Sequence, residues 1–181
     1  MNELIGDFLK FNKVLGLKIA NHVSSNLSVG LCVSEFSGGV KEYYSSVSNV
    51  SKVSFIAQFS YFNRGIMFCI DPKIIEISTQ RCFGGKETMS AHDLKEFSFS
   101  EQFVGNFIVS SLDKYFTNRD CGVELSKLDH HLDRSHLFFS DEQVVFVEMK
   151  CSIKGNAVGG MYLFYPLIFV KQESEKWMLD D

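Results

Sequence analysis

Apolar residues fall at Ile5, Phe8, Leu15 and Ile19, with Leu9 and Phe11 beside them. A stripe of period about 3.6 predicts a helix over residues 3–22. Leu27, Val29, Leu31 and Val33 then alternate with Ser28, Gly30, Cys32 and Ser34, the period of two of a half-buried strand over 27–35. Gly38-Gly39 and the polar stretch around Ser45, Ser46, Ser48 and Asn49 break the pattern and predict a loop. A second alternation, Val53, Phe55, Ala57, Phe59 and Tyr61, leads through Asn63-Arg64-Gly65 to the apolar run 66–70, so strands at 53–61 and 65–70 should form a hairpin.

Asp71-Pro72 is suited to opening a helix, because the Asp carboxylate can accept first-turn amides and Pro loses nothing at the first helical position. That helix should span 72–83, with Gly84 as its left-handed cap and Phe83 anchoring the turn to the core. Residues 86–96 are polar and mixed and read as a connection. Ser98 and Glu101 form an S-x-x-E capping box ahead of Val104, Phe107, Ile108, Leu112 and Tyr115, which predicts a helix over 98–117. Alternation at Val145, Val147, Met149, Cys151 and Ile153, a turn through Lys154-Gly155-Asn156 and the apolar run from Met161 predict strands at 144–153 and 160–168.

The two halves follow the same order of elements. Gly65-Ile66-Met67-Phe68-Cys69-Ile70, with Pro72 after it, aligns with Gly160-Met161-Tyr162-Leu163-Phe164-Tyr165 and Pro166 at an offset of 95 residues. The expected fold is therefore α/β: a single three-layer domain over 1–181, with a mixed β-sheet flanked by helices. Its internal repeats, at about 3–85 and 98–175, should be related by a pseudo-twofold axis.

Composition narrows the function classes. With 45% hydrophobic residues, 18 Phe and only 2 Pro, the chain can fill a core along its whole length. A net charge of −4 and the lack of a Lys/Arg cluster argue against nucleic acid as a partner. The first residues, Met1 to Asp7, lack the basic-then-apolar pattern of a secretory signal. The longest apolar run, Met161 to Val170, is half of what a spanning helix needs, so no membrane insertion is expected. The five cysteines, Cys32, Cys69, Cys82, Cys121 and Cys151, are odd in number and widely spaced and should be reduced thiols. Cys32, Cys69 and Cys151 lie in apolar or alternating stretches, where cysteine serves as a small hydrophobe.

The helix ending in Phe83-Gly84-Gly85, the polar connection, the Glu-bearing helix and the last strand Gly160 to Pro166 together resemble the middle domain of the flagellar motor switch protein FliM. That domain shares its pseudo-twofold fold with the CheC and CheX phosphatases, and the resemblance covers about residues 3–175. It implies a non-enzymatic component of the bacterial flagellar switch ring, at the cytoplasmic face of the inner membrane. The implied partners are a FliG-like rotor protein and neighbouring copies, with a FliN-like protein and CheY engaged only indirectly. The resemblance assigns the FliG contact to Phe83, Gly84, Gly85 and Lys86, although the family's Gly-Gly-x-Gly loop lacks its last glycine here, where Glu87 stands. Neither the CheY-binding N-terminal peptide nor a C-terminal FliN-like domain is seen, so the chain is expected to be a middle domain alone or a shortened relative. A CheC/CheX-like phosphatase acting on phosphorylated CheY and a subunit of a type III secretion sorting platform are the alternatives.

The enzyme alternative needs a Glu three residues before an Asn on one helix face. Asn106 is present, but Phe103 stands at the required position, and Glu101 lies roughly 140° away around the helix. Asp129-His130-His131-Leu132-Asp133, with His136, is the one cluster that suggests a metal. Adjacent strand histidines point to opposite faces, so the stretch reads as a surface loop, with no metal and no cofactor expected. A phosphate loop would place its glycines before a helix, whereas Gly84-Gly85 follow one.

Overall fold

A computed structural model describes residues 2–61, 64–84, 96–118 and 122–178. The chain runs α1 (Asn2–Leu27), β1 (Leu31–Glu42), α2 (Tyr43–Val47), β2 (Val53–Tyr61), β3 (Arg64–Ile70) and α3 (Pro72–Cys82). It continues through α4 (Phe99–Asn118), β4 (Val123–His131), a 3-10 turn (Leu132–Arg134), β5 (Gln143–Ile153), β6 (Asn156–Pro166) and α5 (Leu167–Met178). The six strands form one sheet in the order β1-β5-β6-β3-β2-β4.

That order carries the repeat. If β1, β2 and β3 correspond to β4, β5 and β6, the sheet reads the same from either edge, with the axis between β3 and β6. Phe68 pairs with Leu163, its own counterpart at the offset that relates Gly65 to Gly160, as a residue lying on a twofold axis must. Each half also lends its first strand to the other, β1 to β5 and β4 to β2.

The sheet is antiparallel at every pairing where a mixed sheet is expected. Its physical reason is the same symmetry. Within a half, β2–β3 and β5–β6 are hairpins, and a twofold axis normal to the sheet reverses the strands it places side by side.

Alternation distributes side chains between two unequal layers. Phe55, Ala57 and Phe59 of β2, Ile66, Phe68 and Ile70 of β3, and Met161, Leu163 and Tyr165 of β6 face one way and pack under α1, α3, α4 and α5. Ile56, Met67, Cys69, Val144, Phe146, Tyr162 and Phe164 face the other way. Their cover is thin, made of Tyr43 and Val47 from α2 and Leu132, Leu137 and Phe138 beyond β4.

Several boundaries differ from the sequence expectation. The first helix continues to Leu27, and β1 begins at Leu31 and runs through Gly38-Gly39 to Glu42 instead of ending in a loop. Gly38 serves close approach, since a Cβ there would stand 2.5 Å from the side chain of Leu9 and 2.8 Å from the carbonyl oxygen of Phe146. An edge strand over Val123–His131 takes in Asp129, His130 and His131 of the stretch expected as a surface loop, and the polar stretch after β1 holds the short α2. Strand β6 stops at Pro166 and gives way to α5. As expected, Lys154-Gly155 turns β5 into β6, both residues at positive φ.

Candidate partner-binding site

Helix α3 is opened by Asp71, whose Oδ1 accepts the amide of Lys73 at 3.0 Å, with Pro72 next to it. Burial raises the Asp71 carboxyl above its usual range, and the Lys73 amide and charge offset only part of that effect. At the other end, the amide of Phe83 reaches the carbonyl of Thr79 at 3.0 Å, and Gly84 takes φ +72, the left-handed cap expected of it. Among the described residues nothing lies within 4 Å of a Cβ built on Gly84, and Gly84 is exposed. Gly85 and Lys86 lie outside the described residues.

Helix α4 starts as its capping box dictates. Ser98 donates its amide and hydroxyl to Oε2 of Glu101, at 2.7 and 2.6 Å, and its carbonyl accepts the amide of Gln102 at 2.9 Å. Glu101 is thus occupied by the cap. Asn106 is exposed, and Phe103 precedes it by three residues, so no carboxylate shares its face in that register.

Phe83 does not anchor in the core, as a helix-ending aromatic is expected to do. It is 60% exposed and meets Phe103, itself 51% exposed, edge to face with ring centroids 6.3 Å apart. Phe99, one turn before Phe103, is 87% exposed. Phe83 and Phe103 thus make an exposed aromatic pair next to the Gly84 cap, and Phe99 adds a further exposed ring one turn back along α4. The sequence signal for it was available: Phe99 and Phe103 lie one turn apart and fall outside the stripe that α4 buries through Val104, Ile108 and Leu112.

The histidine stretch is pulled apart by the strand that carries it. His130 packs on the helix side, 5.2 Å from the Phe55 ring and 5.1 Å from Phe97, and burial lowers its pKa despite the neighbouring Asp129. His136 lines a groove of about 580 Å³ on the opposite face, together with Tyr43, Val47 and Phe138. Burial pushes the Asp129 carboxyl up, but Lys127 at 2.7 Å and the amides of His130 and His131 outweigh it and hold the carboxyl below its usual range. Among the described residues no three His, Cys, Asp or Glu side chains gather as a metal set.

Cys32, Cys69, Cys82 and Cys151 are free thiols. Cys69 and Cys151 are core residues, and burial pushes the Cys151 thiol up to about 12. Cys32 is exposed on the edge strand and does not serve as the small hydrophobe expected of it. No described helix is long and apolar enough to cross a membrane.

No protein-family model matches the sequence, and no curated protein matches it. Solved structures do resemble it in fold. A chain in the crystal structure of the H. pylori FliG–FliM complex is 18% identical, with a TM-score of 0.77 over 98% of each chain. The FliM middle domain from H. pylori is 17% identical, with a TM-score of 0.73 over 97% of this chain and 99% of that one. FliY from Thermotoga maritima is 13% identical, with a TM-score of 0.69 over 100% and 98%. At such identities the likeness is one of fold, and by that measure this chain has the fold of the FliM middle domain.

Proposed function

We propose that this chain is a non-enzymatic component of a bacterial flagellar motor switch ring, working at the cytoplasmic face of the inner membrane. It binds a FliG-like rotor protein through the end of α3 and the start of α4, and it packs beside copies of itself. The observation that carries this reading is the exposed, edge-to-face pair of Phe83 and Phe103 next to the Gly84 cap. Exposed rings of this kind are enriched at the centres of protein interfaces, and Phe83 belongs to the segment to which the resemblance assigns the FliG contact. The fold likeness to a chain of the FliG–FliM complex supports the same partner.

Signalling in such a ring is mechanical: a ligand that favours one of two packings shifts the population of the whole assembly. A CheC-like phosphatase is the less supported reading, because Asn106 has no glutamate on its face in the required register.

The test is affinity for a FliG-like rotor protein, measured beside thermal unfolding. Gly85→Trp and Phe103→Asp should each weaken binding at least tenfold while leaving the melting temperature unchanged, since this reading assigns both positions to the partner contact. Unchanged affinity in both variants rejects the assignment.

A further inference from the structure

Strand β1 ends the sheet, with β5 on its inner side and no described strand on its outer side. From Glu35 to Glu42 it pairs with β5 without a register shift, and its residues there are exposed or half-buried. Neither a proline nor a bulge interrupts this stretch, so its outward amides and carbonyls offer a template to another strand. The far edge, β4, differs: its register against β2 shifts twice, and irregularities of that kind turn an edge away from pairing.

The order of side chains along β1 says which strand fits. In a symmetric antiparallel pair, hydrogen-bonded and non-bonded positions alternate, so the twofold axis must pass between one residue and its own copy. With Gly38 on the axis, Phe36 faces Val40 of the second copy and Glu35 faces Lys41 of the second copy, and both contacts recur on the other side of the axis. Centring the pair on Ser37 would instead set Glu35 against Gly39, and centring it on Gly39 would set Lys41 against Ser37. Alternation sends the two kinds of contact to opposite faces. Phe36 packs on the helix side, where Val40 is 41% exposed and Leu9 lies over Gly38. On the other face Glu35 binds Lys150 at 2.7 Å, and Lys41 lies over the Phe146 ring with Nζ 5.4 Å from its centroid. Both contacts are compatible with the pairing. The Glu35 side chain is 67% exposed and its carboxylate can accept from Lys150 and a facing lysine together, while the Lys41 stem can turn to a strand about 5 Å away.

We propose that β1 pairs with β1 of a second copy of this chain about a twofold axis through Gly38, joining two sheets into one. The register selects this occupant. Any strand would gain the backbone bonds, but this one also sets apolar against apolar on the helix side and opposite charges against each other on the other face. The contact uses the same surface on both copies and closes at two, so it is distinct from the packing of a ring, which joins two different faces. It does not rest on the rotor-protein reading, and either can fail alone.

The test is sedimentation velocity of the full chain over a concentration series, with thermal unfolding measured at dilution, where the parent chain is monomeric. The parent chain should show a reversible monomer–dimer equilibrium. Val40→Asp should weaken it at least tenfold. Glu35→Lys and Lys41→Glu should each do the same, because each sets like charges face to face on both sides of the axis. Mixing those two single variants should restore dimerisation, since every facing pair is then of opposite sign. The melting temperatures at dilution should stay unchanged, the lost Glu35–Lys150 pair being exposed. A chain that stays monomeric at every concentration overturns the proposal. So does a dimer that none of the variants weakens, or a mixture of the two charge variants that remains monomeric.

Discussion

The Tyr165 hydroxyl donates a 2.7 Å hydrogen bond to Oδ1 of Asn12, and both side chains are wholly buried. Asn12 in turn donates from Nδ2 to the carbonyl of Phe8 at 2.8 Å, and the Phe8 ring meets the Tyr165 ring edge to face at 4.9 Å. One polar bridge thereby fixes α1 over β6 inside an otherwise apolar layer. Tyr165→Phe keeps the ring but strands the Asn12 oxygen, so it should cost about 1–3 kcal/mol. Adding Asn12→Leu should recover part of that loss, because the orphaned group goes too. Urea midpoints of the two single variants and the double variant check this; strictly additive losses would show that the bond is not the link.

Gly105 lies in α4 directly over Phe55, where an added Cβ would stand 2.5 Å from two ring carbons. Phe55 is fully buried between Phe97 and His130, with ring distances of 5.6 and 5.2 Å, and has no free direction in which to yield. Gly→Ala in a helix interior ordinarily gains about 1 kcal/mol, whereas overpacking a core costs about 1–3 kcal/mol. Gly105→Ala should therefore lower the melting temperature. Gly6→Ala in α1, with nothing among the described residues within 4 Å of the new methyl group, should raise it.

These two contacts separate what the sequence reveals from what it hides. The alternation of Val145 to Ile153, the Ser98–Glu101 box and the Asp71-Pro72 opening are local patterns, and each appears where its spacing puts it. Strand β4 escapes because the middle of this edge strand is wet: Glu124, Ser126 and Lys127 are exposed and leave no clear period to detect. Gly38-Gly39 read as the start of a loop because sequence cannot distinguish a glycine needed for bending from one needed to seat Leu9. At the candidate site, the Gly84 cap is legible for the same local reason. The exposure of Phe83 is not, since it depends on where α4 places Phe103.

His130 gives a pH signature. Burial against Phe55 and Phe97 lowers its pKa in the folded protein below the ordinary 6.5, so the folded state favours the neutral ring. Asp129 and Glu96 oppose that shift and His131 adds to it, but burial is the largest influence. Its contribution to stability is complete above pH 6.5 and is lost as pH falls from there through the folded-state value. Asp129, held below 3.8, acts in the same direction but only in the carboxylate range. His130→Phe should flatten the decline of the urea midpoint below pH 6.5 while leaving the plateau above it. An undiminished slope in the variant would assign the acid sensitivity to other groups.

Asn106 offers the direct test of the enzyme alternative. A water-activating Asn acts together with a glutamate one turn away, because the two must share a helix face to orient one water. Here that position holds Phe103, half exposed and engaged with Phe83, and the nearest carboxylate, Glu101, is committed to the amide and hydroxyl of Ser98. Freeing Glu101 would uncap α4, at a cost of about 1 kcal/mol, and would still leave it on the wrong side of the helix. Asn106→Ala should therefore leave the dephosphorylation rate of a phosphorylated receiver domain at its spontaneous level, unchanged from that with the parent chain. A parent chain that accelerates release and a variant at least tenfold slower, about 1.4 kcal/mol of barrier, would establish an active site built on Asn106 by a partner other than the expected glutamate.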